Sequence, residues 1–197
     1  MGGFRMKKRA AILIDEMNAI KQIHKLGIEG INPWKVFFQT VEKIYINKPT
    51  DYRFYGAVIS KSLDPERNRK RSRFFNRLSR DGIKVKEGFV VLDHKGALVE
   101  KGVDVQLSLD LLELSLKGFD EVIVFSADGD LVPAVHRAQR NGTIVKAILS
   151  KNVPAGHLSE AVDEIIRLED VISHIPSDHK SVRQKKIPNN YKECGVA

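Results

Sequence analysis

Val122-Ile123-Val124-Phe125-Ser126-Ala127-Asp128-Gly129-Asp130 is the stretch whose reading decides the fold. A short apolar, β-branched run stops at a loop carrying two carboxylates around a glycine. Runs of this kind, bounded by turn residues, mark strands buried on both faces in a parallel sheet. A second such run, Ala10-Ala11-Ile12-Leu13-Ile14-Asp15, also ends in an acid. The C-terminal ends of parallel strands are where open α/β sheets bind their ligands. The two runs therefore predict acids delivered to one edge of a sheet.

Outward from these strands, the chain alternates strand and helix signals. Ala19–Leu26 has apolar residues at helical spacing, with Asn18 placed to cap it. Asn32-Pro33 predicts the start of a helix to Tyr45, with Asn32 as cap and proline at the first helical position. Trp34, Phe37, Phe38 and Val41 on its inner face read as core. Tyr52–Ile59 is a strand, and Asp64-Pro65 starts a helix running to Arg80. Ile83–Leu92 and Ala97–Glu100 form two strands around a turn. The run Val105–Leu116 is too long and too leucine-rich for a strand and predicts a helix buried on most sides. After the Phe119–Phe125 strand come a helix from Leu131 to Asn141, a strand Thr143–Leu149 and a helix Leu158–Leu168. This alternation predicts a three-layer α/β/α sandwich with a mainly parallel central sheet. Residues 1–9 read as a frayed basic leader, 10–175 as the folded domain, and 176–197 as a basic tail with too little apolar material to fold.

Composition narrows the function. The 197 residues carry a formal net charge of +8, which favours an anionic partner, nucleic acid above all. The predicted helix 64–80 sets Arg67, Arg69, Lys70, Arg71, Arg73, Arg77 and Arg80 against only Asp64 and Glu66, and such a face can track a phosphate backbone. Cys194 is the only cysteine, and the six histidines show no ligand spacing, so neither disulfides within the chain nor a zinc site has support. No apolar run approaches the roughly 20 residues of a membrane span, and no signal-peptide core follows Lys7-Lys8-Arg9; the expected location is cytoplasmic, with no membrane partner. Self-association is left open. Phosphate-binding glycine motifs are absent, and Met17 stands where a haloacid-dehalogenase phosphatase needs its second acid.

Asp15, Asp104, Asp128 and Asp130 all fall at strand-to-helix junctions or in first helical turns. Each alone reads most simply as a helix cap. Taken together, converging carboxylates repel unless a hard divalent cation with oxygen ligands neutralises them, which points to Mg²⁺ or Mn²⁺. Lys101 and Ser126 are candidate phosphate contacts, although a solvated lysine and a turn hydroxyl describe them equally well.

Three motifs in order, Ile14-Asp15-Glu16-Met17-Asn18, Lys101-Gly102-Val103-Asp104-Val105 and Ser126-Ala127-Asp128-Gly129-Asp130-Leu131, resemble those of the NYN-domain proteins, in particular their LabA-like branch of PIN-like nucleases. The resemblance covers roughly residues 10–150. It implies a PIN-like sandwich and a metal-dependent ribonuclease that hydrolyses RNA phosphodiester bonds. Asp15, Asp104 and Asp128 would hold Mg²⁺ or Mn²⁺, Asp130 would be a fourth acid, and Asn18 would orient ligand or metal water. RNA as the substrate follows from this resemblance alone. Glu16 and Leu131 depart from the family pattern, which often has glycine and an aromatic there; Glu16 would add a ligand or face solvent, and Leu131 would alter packing. The competing reading is a non-catalytic RNA-binding or regulatory module of the same fold, against which the retention of all four acids argues.

Overall fold

The computed structural model describes residues 8–153 and 156–182. Seven strands form one sheet, in the order β5 (Leu98–Lys101), β4 (Lys84–Leu92), β3 (Thr50–Val58), β1 (Ala10–Asp15), β6 (Glu121–Phe125), β7 (Ile144–Leu149), β8 (Glu164–Arg167). The central strand β1 is parallel to β3 on one side and to β6 on the other. β4, β7 and β8 extend the parallel set, and β5 closes one edge antiparallel to β4. Every residue of β1 and β6 is buried, as continuous apolar runs with helices on both faces require.

Alternation along β1 divides the core. Ala10, Ile12 and Ile14 pack with α1 (Glu16–Lys25), α2 (Trp34–Tyr45), α3 (Pro65–Arg80) and α7 (Leu168–Ser173). Ala11 and Leu13 face the other way, against α4 (Val103–Leu116), α5 (Val132–Arg140) and α6 (Gly156–Ala161). The result is the expected three-layer sandwich. Because the chain leaves β1 for β3 and returns much later to β6, the β1/β6 boundary is the switch point where an open α/β sheet presents its crevice.

Several local expectations are corrected. Asp15, not Asn18, caps α1: its side chain accepts the Asn18 backbone N–H at 3.2 Å. Pro33 occupies the N-cap of α2, so the helix begins at Trp34 without a side-chain cap. α4 is buried on one side only, through Leu107, Leu111 and Leu114, while Val105, Leu109 and Leu116 are 57%, 61% and 70% exposed. The helix expected over 158–168 stops at Ala161. Asp163 then bridges to Val145, its amide donating to the Val145 carbonyl and its carboxylate accepting the Val145 amide, both at 2.8 Å; this turns the chain into β8. Two short strands were not expected at all, β2 (Ile28–Ile31) and β9 (Lys180–Val182), which pair antiparallel. β9 lies in the segment expected to stay unfolded; residues 183–197 of that segment are outside the described residues. Arg9, assigned to a frayed leader, is anchored, its amide donating to Asp120 at 2.7 Å and its guanidinium lying 4.0 Å above the Phe119 ring.

Candidate active site

Asp15 ends the central strand, only 5% exposed, with both carboxylate oxygens engaged. Oδ1 takes the Asn18 backbone N–H; Oδ2 takes the Asn18 side-chain amide at 2.7 Å and the Ser126 hydroxyl at 3.1 Å. Ser126, just past the end of the neighbouring strand β6, also accepts the Asp128 amide at 3.2 Å through its hydroxyl, and the Asn18 side-chain Oδ1 accepts from the Ala127 amide at 3.4 Å. Asn18 and Ser126 thus tie the ends of β1 and β6 into one cluster. Burial pushes the Asp15 carboxyl above its ordinary range; the bonds from Asn18 and Ser126 pull the other way, and the charge of Asp128 adds to the upward push. This is the electrostatic signature of an acid kept out of water beside a second acid.

Asp128 caps the short 3₁₀ turn Gly129–Leu131, its Oδ1 accepting the Asp130 amide at 3.0 Å. Of the two acids in this loop Asp128 therefore does the capping, and Asp130 is exposed in the first turn. Asp104 is half-buried in the first turn of α4. Gly102 precedes that turn with φ of +79°, a left-handed conformation that glycine adopts without a Cβ clash.

Among the described residues, no three or more Asp, Glu, His or Cys side chains come close enough together to form a ready-made metal cage. Asp15 and Asp128 are the acids this arrangement couples electrostatically.

Other predicted contacts sort differently. Ser126 is fully buried, which removes it as a phosphate contact and makes it a positioning residue for Asp15. Arg71 is not a free cation. Its Nη1 donates to Glu16 Oε1 at 2.6 Å, its Nη2 to Glu16 Oε2, and its Nε to the Ala57 carbonyl at 2.9 Å. Glu16 is accordingly neither solvated nor free to act as a ligand. Arg69, Arg73 and Arg77 are exposed along α3, as is Lys101 at the end of β5. Arg67 and Lys70 make only exposed pairs, with Asp64 at 3.3 Å and Glu66 at 2.6 Å, which contribute about 0–1 kcal/mol and yield readily to a phosphate.

Two neighbours of the site carried no sequence signal. Glu100 lies close enough to Glu16 and Asp15 for its carboxyl to be raised, first by lost hydration and then by the Glu16 charge, with Arg71 opposing and Asp15 adding. His157 flanks the acid loop: a Cβ built on Gly129 would lie 3.9 Å from its own.

Comparison with known proteins agrees with this architecture. A solved structure of a protein of unknown function from Vibrio parahaemolyticus aligns with a TM-score of 0.64 over 87% of this chain and 98% of its own, at 22% identity; a likeness at that identity concerns the fold alone. No functionally curated protein matches the chain. The sequence pattern of the NYN domain, by contrast, matches residues 9–169, from the start of the central strand to the beginning of α7, and so the chain belongs to the NYN domain family, with its nuclease-type, RNA-related fold.

Proposed function

We propose that this protein is a cytoplasmic, metal-dependent ribonuclease that hydrolyses RNA phosphodiester bonds at the Asp15–Asp128 edge of the sheet. The observation that carries this reading is Asp15 itself: a desolvated carboxylate on the central strand, its charge opposed by Asp128, with Asn18 and Ser126 fixing its orientation. An uncompensated pair of acids at the switch point is a site where a divalent cation lowers the electrostatic energy. Asp15 and Asp128 would hold Mg²⁺ or Mn²⁺, and Asp104, half-buried in the first turn of α4, would be the third acid of the set. Bound there, the ion supplies Lewis acidity toward water and toward the phosphoryl oxygens. Asn18 and Ser126 hold Asp15 in one rotamer, Asp130 stands at the loop's exposed edge, and Lys101 with the α3 arginines draws the RNA backbone toward the acids.

The absence of a preformed three-carboxylate cage among the described residues is the observation that favours the second reading, an RNA-binding module without turnover. Cleavage assays separate the two. With Mg²⁺ or Mn²⁺ present, the protein should cut single-stranded or structured RNA, and Asp15→Asn or Asp128→Asn should abolish cutting while RNA affinity and melting temperature are kept. Activity that survives both substitutions refutes the assignment; a wild-type protein that binds but never cuts establishes the module.

A further inference from the structure

Beside the acid cluster lies a cleft of about 660 Å³ between α1, α3 and the outer strands β4 and β5, within the size range of small-ligand sites. Its walls are apolar: Met17 and Ile20 from α1, Trp34 from α2, Phe74 from α3 and Leu98 from β5. Met17 and Leu98 are 42% and 45% exposed. Large apolar side chains left open to water in one concavity mark a binding surface more often than an accident of packing. Nor is the position arbitrary, since Met17 follows Asp15 by two residues and Glu100, on the β5 side, lies within the electrostatic reach of Asp15.

Polar groups around the cleft are asymmetric. Arg67 and Lys70 stand on the α3 side, paired only with exposed acids. The Glu16–Arg71 pair lines the cleft but satisfies itself, leaving no net charge there. Glu100, exposed at the β5 rim of the cleft, adds a carboxyl, which repels a phosphate and accepts N–H groups. A ligand that suits this arrangement is flat and apolar in its body, carries N–H donors on one edge, and is joined to a phosphate that stays at the cationic side.

We propose that the cleft receives one unpaired nucleobase of a single-stranded RNA, its faces against Phe74, Met17 and Leu98, its N–H edge toward Glu100, and its flanking phosphate at Arg67 and Lys70. This deepens, and rests on, the ribonuclease reading by assigning its substrate class. A duplex keeps its bases stacked and paired and cannot fill the cleft, whereas unpaired bases are recognised by stacking and by their Watson–Crick edges.

The test measures fluorescence anisotropy of a labelled single-stranded RNA oligonucleotide, and of the same strand in a blunt duplex, with EDTA present so that binding is read without cleavage. Met17→Ala/Leu98→Ala, at sites exposed enough for the fold to tolerate truncation, should weaken single-strand binding about tenfold, as loss of a base's apolar contacts does elsewhere. Duplex affinity and the circular dichroism melt should not move. Arg67→Glu should weaken single-strand binding independently. An unchanged single-strand affinity in the double variant, an equal loss for the duplex, or no measurable binding by the wild type overturns the proposal. Parallel cleavage assays with Mg²⁺ keep the two readings apart. Cutting that is insensitive to the cleft substitutions sinks the cleft and leaves the nuclease. Binding that depends on the cleft in a protein that never cuts does the reverse.

Discussion

Gly56, on β3, is where a single methyl group should separate α3 from the start of α1. A Cβ there would collide with Glu16 Oε2 and Arg71 Nη2 and lie 3.3 Å from the Phe75 ring. Glycine is therefore required so that the Glu16–Arg71 pair can lie flat on the strand. The pair is largely desolvated, with side-chain exposures of 9% for Glu16 and 22% for Arg71. Removing one member of a buried pair costs about 3–5 kcal/mol, because the other charge is left without a partner. Discounting for the partial exposure of Arg71, we expect about 2–4 kcal/mol for Glu16→Ala or Arg71→Ala. For a chain of this length that lowers the melting temperature by roughly 5–15 °C. The double variant should lose far less than the sum, giving a coupling of about 2 kcal/mol. Gly56→Ala alone should cost about as much as either single substitution, and much less when added to the double variant, since the groups it strikes are gone. Urea denaturation followed by circular dichroism measures all of these. Additive losses for Glu16 and Arg71, or a Gly56→Ala penalty unchanged in the double variant, would refute the argument.

The exposed face of α3 makes a second prediction. Arg69→Ala/Arg73→Ala/Arg77→Ala should weaken RNA binding and reduce the slope of log K against log salt by about 2, at roughly 0.7 per phosphate contact on a single strand; an unchanged slope returns these arginines to the solvated surface. A third concerns the buried network under α4. The Tyr55 hydroxyl donates to Asp110 at 2.7 Å and Arg53 pairs with it at 2.8 Å. Burial pushes the Asp110 carboxyl up, but these bonds outweigh it and hold it below its usual 3.8. A depressed carboxylate stabilises the fold above that usual value, and the contribution is lost as pH falls through the lower, folded one. Tyr55→Phe should therefore cost about 1–3 kcal/mol at neutral pH, and its gap to wild type should shrink in acid; a gap that widens on acidification contradicts the sign.

What was legible in the sequence was local. The runs Ala10–Asp15 and Val122–Phe125 read as buried parallel strands because nearly every position in them is apolar, and Asp64-Pro65 marked α3 because the cap and the proline act within one turn. β2 and β9 were missed because each is a few residues long and is stabilised by a partner some 150 residues away, as Gly30 opposite Ser181 shows. α4 misled for another reason. Leucine and valine occupy nearly all its faces, so periodicity cannot pick the buried one; only the position of the sheet sets Leu107, Leu111 and Leu114 inward. At the site, acids could be assigned to strand ends, yet the roles of Ser126, Glu16 and Arg71 depend on contacts across 111 and 55 residues of chain.

Asp15 and Asp128 show that capping a helix and serving a site are not alternatives. Each does cap: Asp15 the α1 helix, Asp128 the turn before α5. A cap alone, however, does not call for a charge. Asparagine and serine satisfy the same backbone N–H groups about as well, and at position 15 an amide would avoid both the burial of a carboxylate and its repulsion by Asp128, the two effects that raise its pKa. Retaining the acid there sacrifices stability that a neutral cap would keep, and departures of that kind concentrate at functional sites. The same reasoning sets the expected phenotype of Asp15→Asn. Oδ1 can still accept the Asn18 backbone N–H and the Ser126 hydroxyl can rotate to accept from the new amide; the Asn18 side-chain amide loses its acceptor, which offsets part of the gain from removing the buried charge. Its stability should stay close to wild type at neutral pH, and wild type should gain on the variant as acid protonates Asp15 in the wild-type fold. Loss of cutting without loss of stability at this one position is what separates a reacting carboxylate from a structural one.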